Sequence, residues 1–387
     1  MKTTLLSVSA GTCRLHVRPS ARESFTEYHV TATIDGVMPA DEAADSLFTR
    51  VAAVLREKGI QTMQEKIYGL VAVRDEVLRH RERIYRERGL DGTLPATWIE
   101  GTPLDDNELV GVQIWGIAPH GGAEAVVTVE DPVNGRARLW TAPGFRMLHL
   151  PAVQPTHTSV PPAEQARQMF VNAGFGLQSH GFRYRDVVRT WIYCADLLDW
   201  YGDLNRVRTP IYRDAGLGTP GGAPFPASTG IMGRTGDEAC LFDVLALDVT
   251  DPKVAQAIPI HRSPRQDQSF NYGSAFSRGM ILDLEGRKTV HISGTASINP
   301  AGESVHIDDP ELQSLETLMC IAAILQEYGG TLRNITSATL FCKTRAAWEA
   351  WERVSRLLQI PDFPKVCVLA DVCRHDLLVE MEVVATL

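Results

Sequence analysis

Two acidic residues on one strand carry the clearest chemistry in this chain. In the C-terminal stretch LLVEMEVVAT, period-two alternation puts Leu378, Glu380 and Glu382 on one face and Val379, Met381 and Val383 on the other. A carboxyl walled by Leu and Val loses hydration, and its pKa rises because the charged form is the one that needs water. Such a group stays protonated near neutral pH and serves as a general acid. The same carboxylates on a solvated edge strand, or paired with cations, would do no chemistry. The strand alone leaves these readings open.

The elements that must position this strand recur three times. Each copy runs as a strand, an amphipathic helix, an apolar strand, a second helix and a terminal pair of strands, at a spacing of about 120 residues. In the first, the strand Glu27–Ile34 precedes a helix near Ala44–Lys58, where Phe48, Val51, Ala52 and Leu55 recur at helical spacing. Gly59 fits the position after the helix, where positive φ ends it. The second has a helix near Ala163–Gln178, then VVRTWIYCAD, a second helical stretch and PFPASTGI. The third has TVHISGTASINP and a helix near Pro310–Tyr328 whose expected apolar face is Leu312, Leu315, Met319, Ala322 and Leu325. Pro- and Gly-rich segments near Pro119–Ala125 and Asp251–Gln268 suggest units 1–118, 119–262 and 263–387. The expected fold is α+β: three tandem units forming an intramolecular pseudo-trimer, with central sheets and helices outside.

Composition narrows the partners. The 387 residues carry 38 Lys and Arg against 47 Asp and Glu, a net charge of -9, which disfavours a nucleic-acid or anionic-membrane surface. No apolar run reaches the ~18–20 residues that cross a bilayer, and the N-terminus makes a poor signal peptide. The seven Cys residues lack CxxC spacing, so neither a disulfide framework nor a zinc site is expected. A cytoplasmic location, no cofactor and no metal are the resulting expectations. No phosphate-binding glycine motif is present, and GTPGG near Gly218–Gly222 reads as a loop.

At TVHISGTASINPAGE and LLVEMEVVAT the chain resembles the RidA (YjgF-like) superfamily, whose members place a Ser-Gly turn after a strand and a Glu-x-Glu pair on the last strand. That resemblance implies a trimer-like barrel of sheets with active sites in clefts between units. The site motifs are strong only in the third copy. A narrower resemblance rests on PASTGI, SPRQ, NYGSAFSRG, SGTASI and ADVCRHDLLVEME in that order, which look like chorismatases, enzymes that split chorismate into pyruvate and a hydroxybenzoate or dihydroxycyclohexadienoate. It covers roughly Ala163 to the C-terminus; the readable first repeat departs from it.

The resemblance assigns Glu380 as the acid that protonates the enolpyruvyl methylene carbon. It gives Cys373 and Gly279 as positions that sort products, with a Cys and a Gly favouring 3-hydroxybenzoate. An anionic substrate with two carboxylates calls for cations, and Arg suits bidentate carboxylate binding. Arg278 and Arg374 are candidates, as is Arg189; Tyr193 and Tyr272 would supply phenolic donors, and Ser228 and Thr229 would orient ring hydroxyls. The Ser293-Gly294-Thr295 turn would offer backbone N–H groups. A catalytic triad built on Cys373 is disfavoured, because His375 sits in no recognisable motif. The runner-up is RidA-type hydrolysis of enamines and imines, which relies on an Arg beside a Pro of the penultimate strand; Lys365 in FPKVCV stands there, without the planar fork. A ligand-binding protein without turnover is the third reading. The expected site lies between the second and third units, and the chain is expected to be monomeric.

Overall fold

The computed structural model describes residues 6–10, 13–104 and 107–387. Its eighteen strands form three six-stranded sheets with one shared topology. The first sheet holds β1 (Leu6–Ala10), β2 (Cys13–Ala21), β3 (Phe25–Ile34), β4 (Gln61–Gly69), β5 (Thr97–Glu100) and β6 (Leu109–Pro119), in the order β1-β2-β3-β6-β4-β5. The second repeats this with β7 (Val126–Asp131), β8 (Gly135–Ala142), β9 (Phe145–Val153), β10 (Val187–Cys194), β11 (Ala227–Met232) and β12 (Cys240–Val249). The third does so with β13 (Ala255–Ile260), β14 (Gly279–Leu284), β15 (Arg287–Ala296), β16 (Ile335–Cys342), β17 (Lys365–Leu369) and β18 (Val379–Thr386). Each unit therefore opens with a three-stranded meander, of which the sequence pattern showed only the last strand in the first and third units and none in the second. β13 pairs with β14. The third sheet thus begins before residue 263, where the sequence pattern drew the boundary.

Two helices cover each sheet: α1 (Ala40–Lys58) and α2 (Arg74–Glu87), then α3 (Pro162–Ser179) and α4 (Leu197–Asp214), then α5 (Pro310–Glu327) and α6 (Arg345–Leu357). α1 ends at Gly59, whose φ of 63° lets its N–H reach back to Arg56 and Leu55 carbonyls. Strand alternation divides the apolar residues between two kinds of core. One face of each sheet packs on its own helices, as with Phe48, Val51 and Ile67 in the first unit. The opposite faces meet in one shared inner core, where Phe25, Trp140, Tyr193, Met280 and Phe341 come from all three units. Trp140 bridges two of them, edge-on to Phe25 and to Phe145 at 4.8 Å in both cases. The threefold arrangement follows from that second apolar face, which no single unit can bury alone.

The third-unit helix departs from its expected face. Of the expected face Leu312 and Met319 are 42% and 41% exposed and only Leu325 is buried, while Leu318, Ile321 and Ile324, outside that face, are buried. A buried polar residue explains the rotation. The Gln313 side chain donates to the Asp376 carbonyl at 2.8 Å and accepts from the Leu378 N–H at 2.7 Å, so its amide replaces lost water with backbone partners. Those bonds also fix the chain just before β18. Among the described residues, no helix is long and apolar enough to cross a membrane.

Candidate active site

The last strands of the three sheets align through their pairing with the preceding long strand. Val379 lies opposite Cys342 at the end of β16, Cys240 opposite Cys194 at the end of β10, and Leu109 opposite Gly69 at the end of β4. Counting from there, Glu380 (opposite Phe341) corresponds to Leu241 (opposite Tyr193) and Gly111 (opposite Tyr68). Glu382 corresponds to Asp243 and Gln113 by the same register. Only the third unit carries a carboxyl at the first position.

The two glutamates have opposite fates. Glu382 Oε2 accepts from Arg189 Nη2 at 2.8 Å and from the Thr229 hydroxyl at 2.6 Å. Its Oε1 accepts from Lys66 Nζ at 3.3 Å and from the Thr339 hydroxyl at 3.2 Å. Lys66 also lies over the Trp191 ring, 3.9 Å from its centroid. One cation from the first unit and one from the second thus hold the anion of the third. Burial works against that anion, but Lys66 and Arg189 overcome it and keep Glu382 below the usual carboxylate range. Glu380 makes no hydrogen bond among the described residues. Burial, with the charge of Glu382 added to it, pushes its pKa up to about 8 against the opposing pull of Arg189. Ionised Glu382 and protonated Glu380 form a pair of acids separated by environment.

A glycine lets the acid sit where it does. A Cβ at Gly294 would overlap Glu380 Oε1 and lie 3.2 Å from Thr229 Cγ2. The Ser293-Gly294 pair is a bulge inside β15, where the register to β18 slips between Ile292 and Thr295. This corrects the expected turn, and its N–H groups are already used. Ser293 N donates to the Arg278 carbonyl at 2.9 Å and Gly294 N to the Thr229 hydroxyl at 3.1 Å. The Ser293 hydroxyl accepts from Ser228 N and donates to the Ser277 carbonyl, tying the second sheet to the third. Thr295 bonds back to the Ser293 carbonyl at 2.8 Å.

Glu380 faces a cavity of about 230 Å³ between the second and third units, shared with Cys373, Arg278, Arg374, Ser228 and Gly294. The Cys373 thiol is pushed up to about 12 by burial and by Glu380, so it stays neutral. Arg278 Nε donates to the Asp267 carbonyl at 2.9 Å, and Arg374 Nη1 to the Gly302 carbonyl at 2.8 Å. Other candidates lie elsewhere. Tyr193 is in the inner core, and its hydroxyl has no partner. Arg189 and Thr229 belong to the Glu382 network. A Cβ on Gly279 would meet the His291 carbonyl and the Ile260 side chain, so this glycine answers to strand packing and opens no space beside Glu380. Tyr272 ends a short 3-10 helix, Ser269–Tyr272, and its side chain lies outside the described residues. His375 offers its carbonyl to Lys343 Nζ at 2.8 Å.

Three cavity residues on α4 were not singled out from the sequence: Tyr201, Asn205 and Arg208. Their spacing of four and three residues puts them on one helix face, a polar stripe beside buried Leu204 and Val207. That stripe was the available signal. Arg208 is 2% exposed, donates to Asn205 Oδ1 at 2.6 Å, leaves Nε without a partner, and forms no ion pair among the described residues. A buried guanidinium without a carboxylate is costly unless a ligand supplies one. The strand register also reassigns the clamp position. Lys365 corresponds to Ser228, and it is Ser228 that faces Glu380; Lys365 lines a different cleft, against the first unit. Among the described residues no cluster of His, Cys, Asp and Glu is suited to a metal ion.

Residues 273–387 match the family model for endoribonuclease L-PSP. A solved chorismatase structure superposes with a TM-score of 0.60 at 18% identity, covering 84% of this chain and 92% of that one. A putative endoribonuclease L-PSP from Entamoeba histolytica covers 34% of this chain and 100% of its own, at 19% identity and a TM-score of 0.29. The Rid-family protein YyfA from Yersinia pestis covers the same shares at 23% identity and a TM-score of 0.29. Residues 273–387 are thus similar to an endoribonuclease L-PSP domain, and the chain as a whole shares its fold with a chorismatase.

Proposed function

We propose that the cavity between the second and third units cleaves the enolpyruvyl ether of chorismate, with Glu380 as general acid. The observation that carries this is a buried Glu380 without a hydrogen bond among the described residues, beside a Glu382 held by Lys66 and Arg189, facing three arginines across one cavity. Burial and Glu382 push the Glu380 pKa up to about 8, which keeps its proton in place near neutral pH. Chorismate brings two carboxylates; Arg208, Arg278 and Arg374 are suited to receive them. Glu380 delivers its proton to the methylene carbon of the enol ether, and the adjacent carbon becomes an oxocarbenium ion. If water captures that ion, the hemiketal collapses to pyruvate and a dihydroxycyclohexadienoate. If the ring rearranges instead, pyruvate and 3-hydroxybenzoate leave with no net consumption of water. Neither route needs a redox partner.

The neutral Cys373 thiol in the cavity favours the second outcome by shaping water access to the ring, and Gly279 adds nothing to that argument. The test is to mix purified protein with chorismate and follow pyruvate, identifying the ring product by chromatography. Pyruvate that depends on Glu380 supports the proposal. Its absence, with ammonia released from an iminopyruvate source, transfers the site to RidA-type deamination. Neither product leaves a ligand-binding protein.

A further inference from the structure

Strand register gives each unit a histidine at the same place. His29 on β3 lies opposite Trp115, His149 on β9 opposite Leu245, and His291 on β15 opposite Val384. Of the three, His149 has found partners: its Nε2 lies 3.1 Å from Gln64 Nε2 and 3.6 Å from Asp243 Oδ2. His29 and His291, each 3% exposed, have no partner at either ring nitrogen. Both line an inner cavity of about 40 Å³ together with Lys66 and Arg189, and Arg189 Nη1 is buried without a partner as well.

We propose that this inner cavity is a binding site for a monatomic anion of the halide class. Two cations and one carboxylate, Glu382, stand in its wall. The neighbouring carboxylates are committed elsewhere. Asp243 accepts from the Thr97 hydroxyl at 2.8 Å and from the Ala152 N–H at 2.7 Å. Glu27 accepts from Trp115 Nε1 at 2.8 Å and pairs with Arg22. Arg189 reaches Glu382 through Nη2 alone, at 2.8 Å, so the N–H groups on Nη1 have no acceptor. A buried donor left in that state is costly, and more so when it is charged. Burial, aided by the charge of Arg189, lowers the His291 pKa to about 3, and burial holds His29 below its ordinary value. Both rings are therefore neutral, and each keeps one N–H to give. An ammonium, a guanidinium edge and two imidazole N–H groups can surround one anion. Size selects among anions: 40 Å³ is room for about three waters at ~10–15 Å³ each, enough for a halide and too little for a ring. Gln64, Ser337 and Val384 in the wall are half-buried and mark the way in. This reading stands independently of the reaction proposed for the other cavity.

The experiment is thermal melting of the full chain at constant ionic strength, with sodium bromide exchanged stepwise for sodium gluconate, whose anion is too large for the cavity. It is repeated on His29→Leu and His291→Leu, each of which removes a donor and no charge. The expected result is a saturable rise in melting temperature with bromide, since a ligand of the folded state stabilises it. The half-saturating concentration should be about tenfold or more higher in each variant, the scale of one hydrogen bond to a charged group. Anomalous scattering from wild-type crystals grown in bromide should place one ion beside Arg189 Nη1 and the two imidazoles, which decides the matter even where a variant fails to fold. No saturable response in the wild type, unchanged half-saturation in either folded variant, or a cavity holding only water in bromide overturns the proposal.

Discussion

The cleft between the second and third units and the cleft between the third and first are built from corresponding strands, and they differ by a few side chains. Glu380 faces the former, while Gly111 stands at its place in the latter. The difference lies deeper than one carboxyl. A Cβ at Gly111 would overlap the Ala32 carbonyl, so β3 and β6 lie too close for any side chain there. In the third sheet the Ser293-Gly294 bulge opens the same place and lets a Glu in, whereas β3 and β6 pair without a slip. One bulge therefore distinguishes a cleft able to hold an acid from one that is not.

The largest expected effect is that of Glu380→Gln, which keeps the shape and removes the proton. Pyruvate release should fall by roughly 10²–10⁴-fold, as for a lost general acid. A smaller loss would mean the two clefts are not distinguished by this residue. Gly294→Ala should come next. The new Cβ displaces the Glu380 carboxyl, and a misplacement near 1 Å costs about 10²-fold in turnover; steady-state kinetics with intact binding of a carboxylate ligand would separate this from unfolding. Glu382→Gln leaves Lys66 and Arg189 buried and unpaired, costing about 3–5 kcal/mol in denaturant titration. The same change removes the negative charge beside Glu380 and exposes it to two cations. The alkaline limb of the pH–rate profile, expected near 8 in the wild type from the raised Glu380 pKa, should move toward lower pH.

A subtler signature lies in stability against pH. The folded-state pKa of Glu380, about 8, is above its ordinary value of 4.5. Between these values the folded chain binds the proton and the unfolded chain does not, so stability conferred below 4.5 is lost as pH rises through 8. Thermal melting of the wild type should decline across that window relative to Glu380→Gln; parallel curves would mean the carboxyl is ionised when folded. The smallest effect is expected from Cys373→Ala, which should shift product from 3-hydroxybenzoate toward the dihydroxy acid with little change in rate. An unchanged ratio would make Cys373 a packing residue.

Local sequence determined a great deal of this protein. Periodicity marked all six helices as helical stretches, because a repeat of 3.6 residues needs only neighbours along the chain. It also marked the Glu-x-Glu strand and the threefold recurrence of elements. Where a buried polar group found a partner outside its own segment, the pattern failed. Gln313 turned α5 away from its expected face through bonds to residues before β18. The identity of the acid was likewise undecidable from the strand itself, since Glu380 and Glu382 share one face. Lys66 and Arg189, 316 and 193 residues away from Glu382, made the choice by neutralising one carboxylate and leaving its neighbour dry. Tertiary docking also decided which penultimate strand faces the acid, placing Ser228 there and sending Lys365 to the other cleft. The physical reason is the same in each case: periodicity records which face of an element is buried, and electrostatics depends on what that face meets.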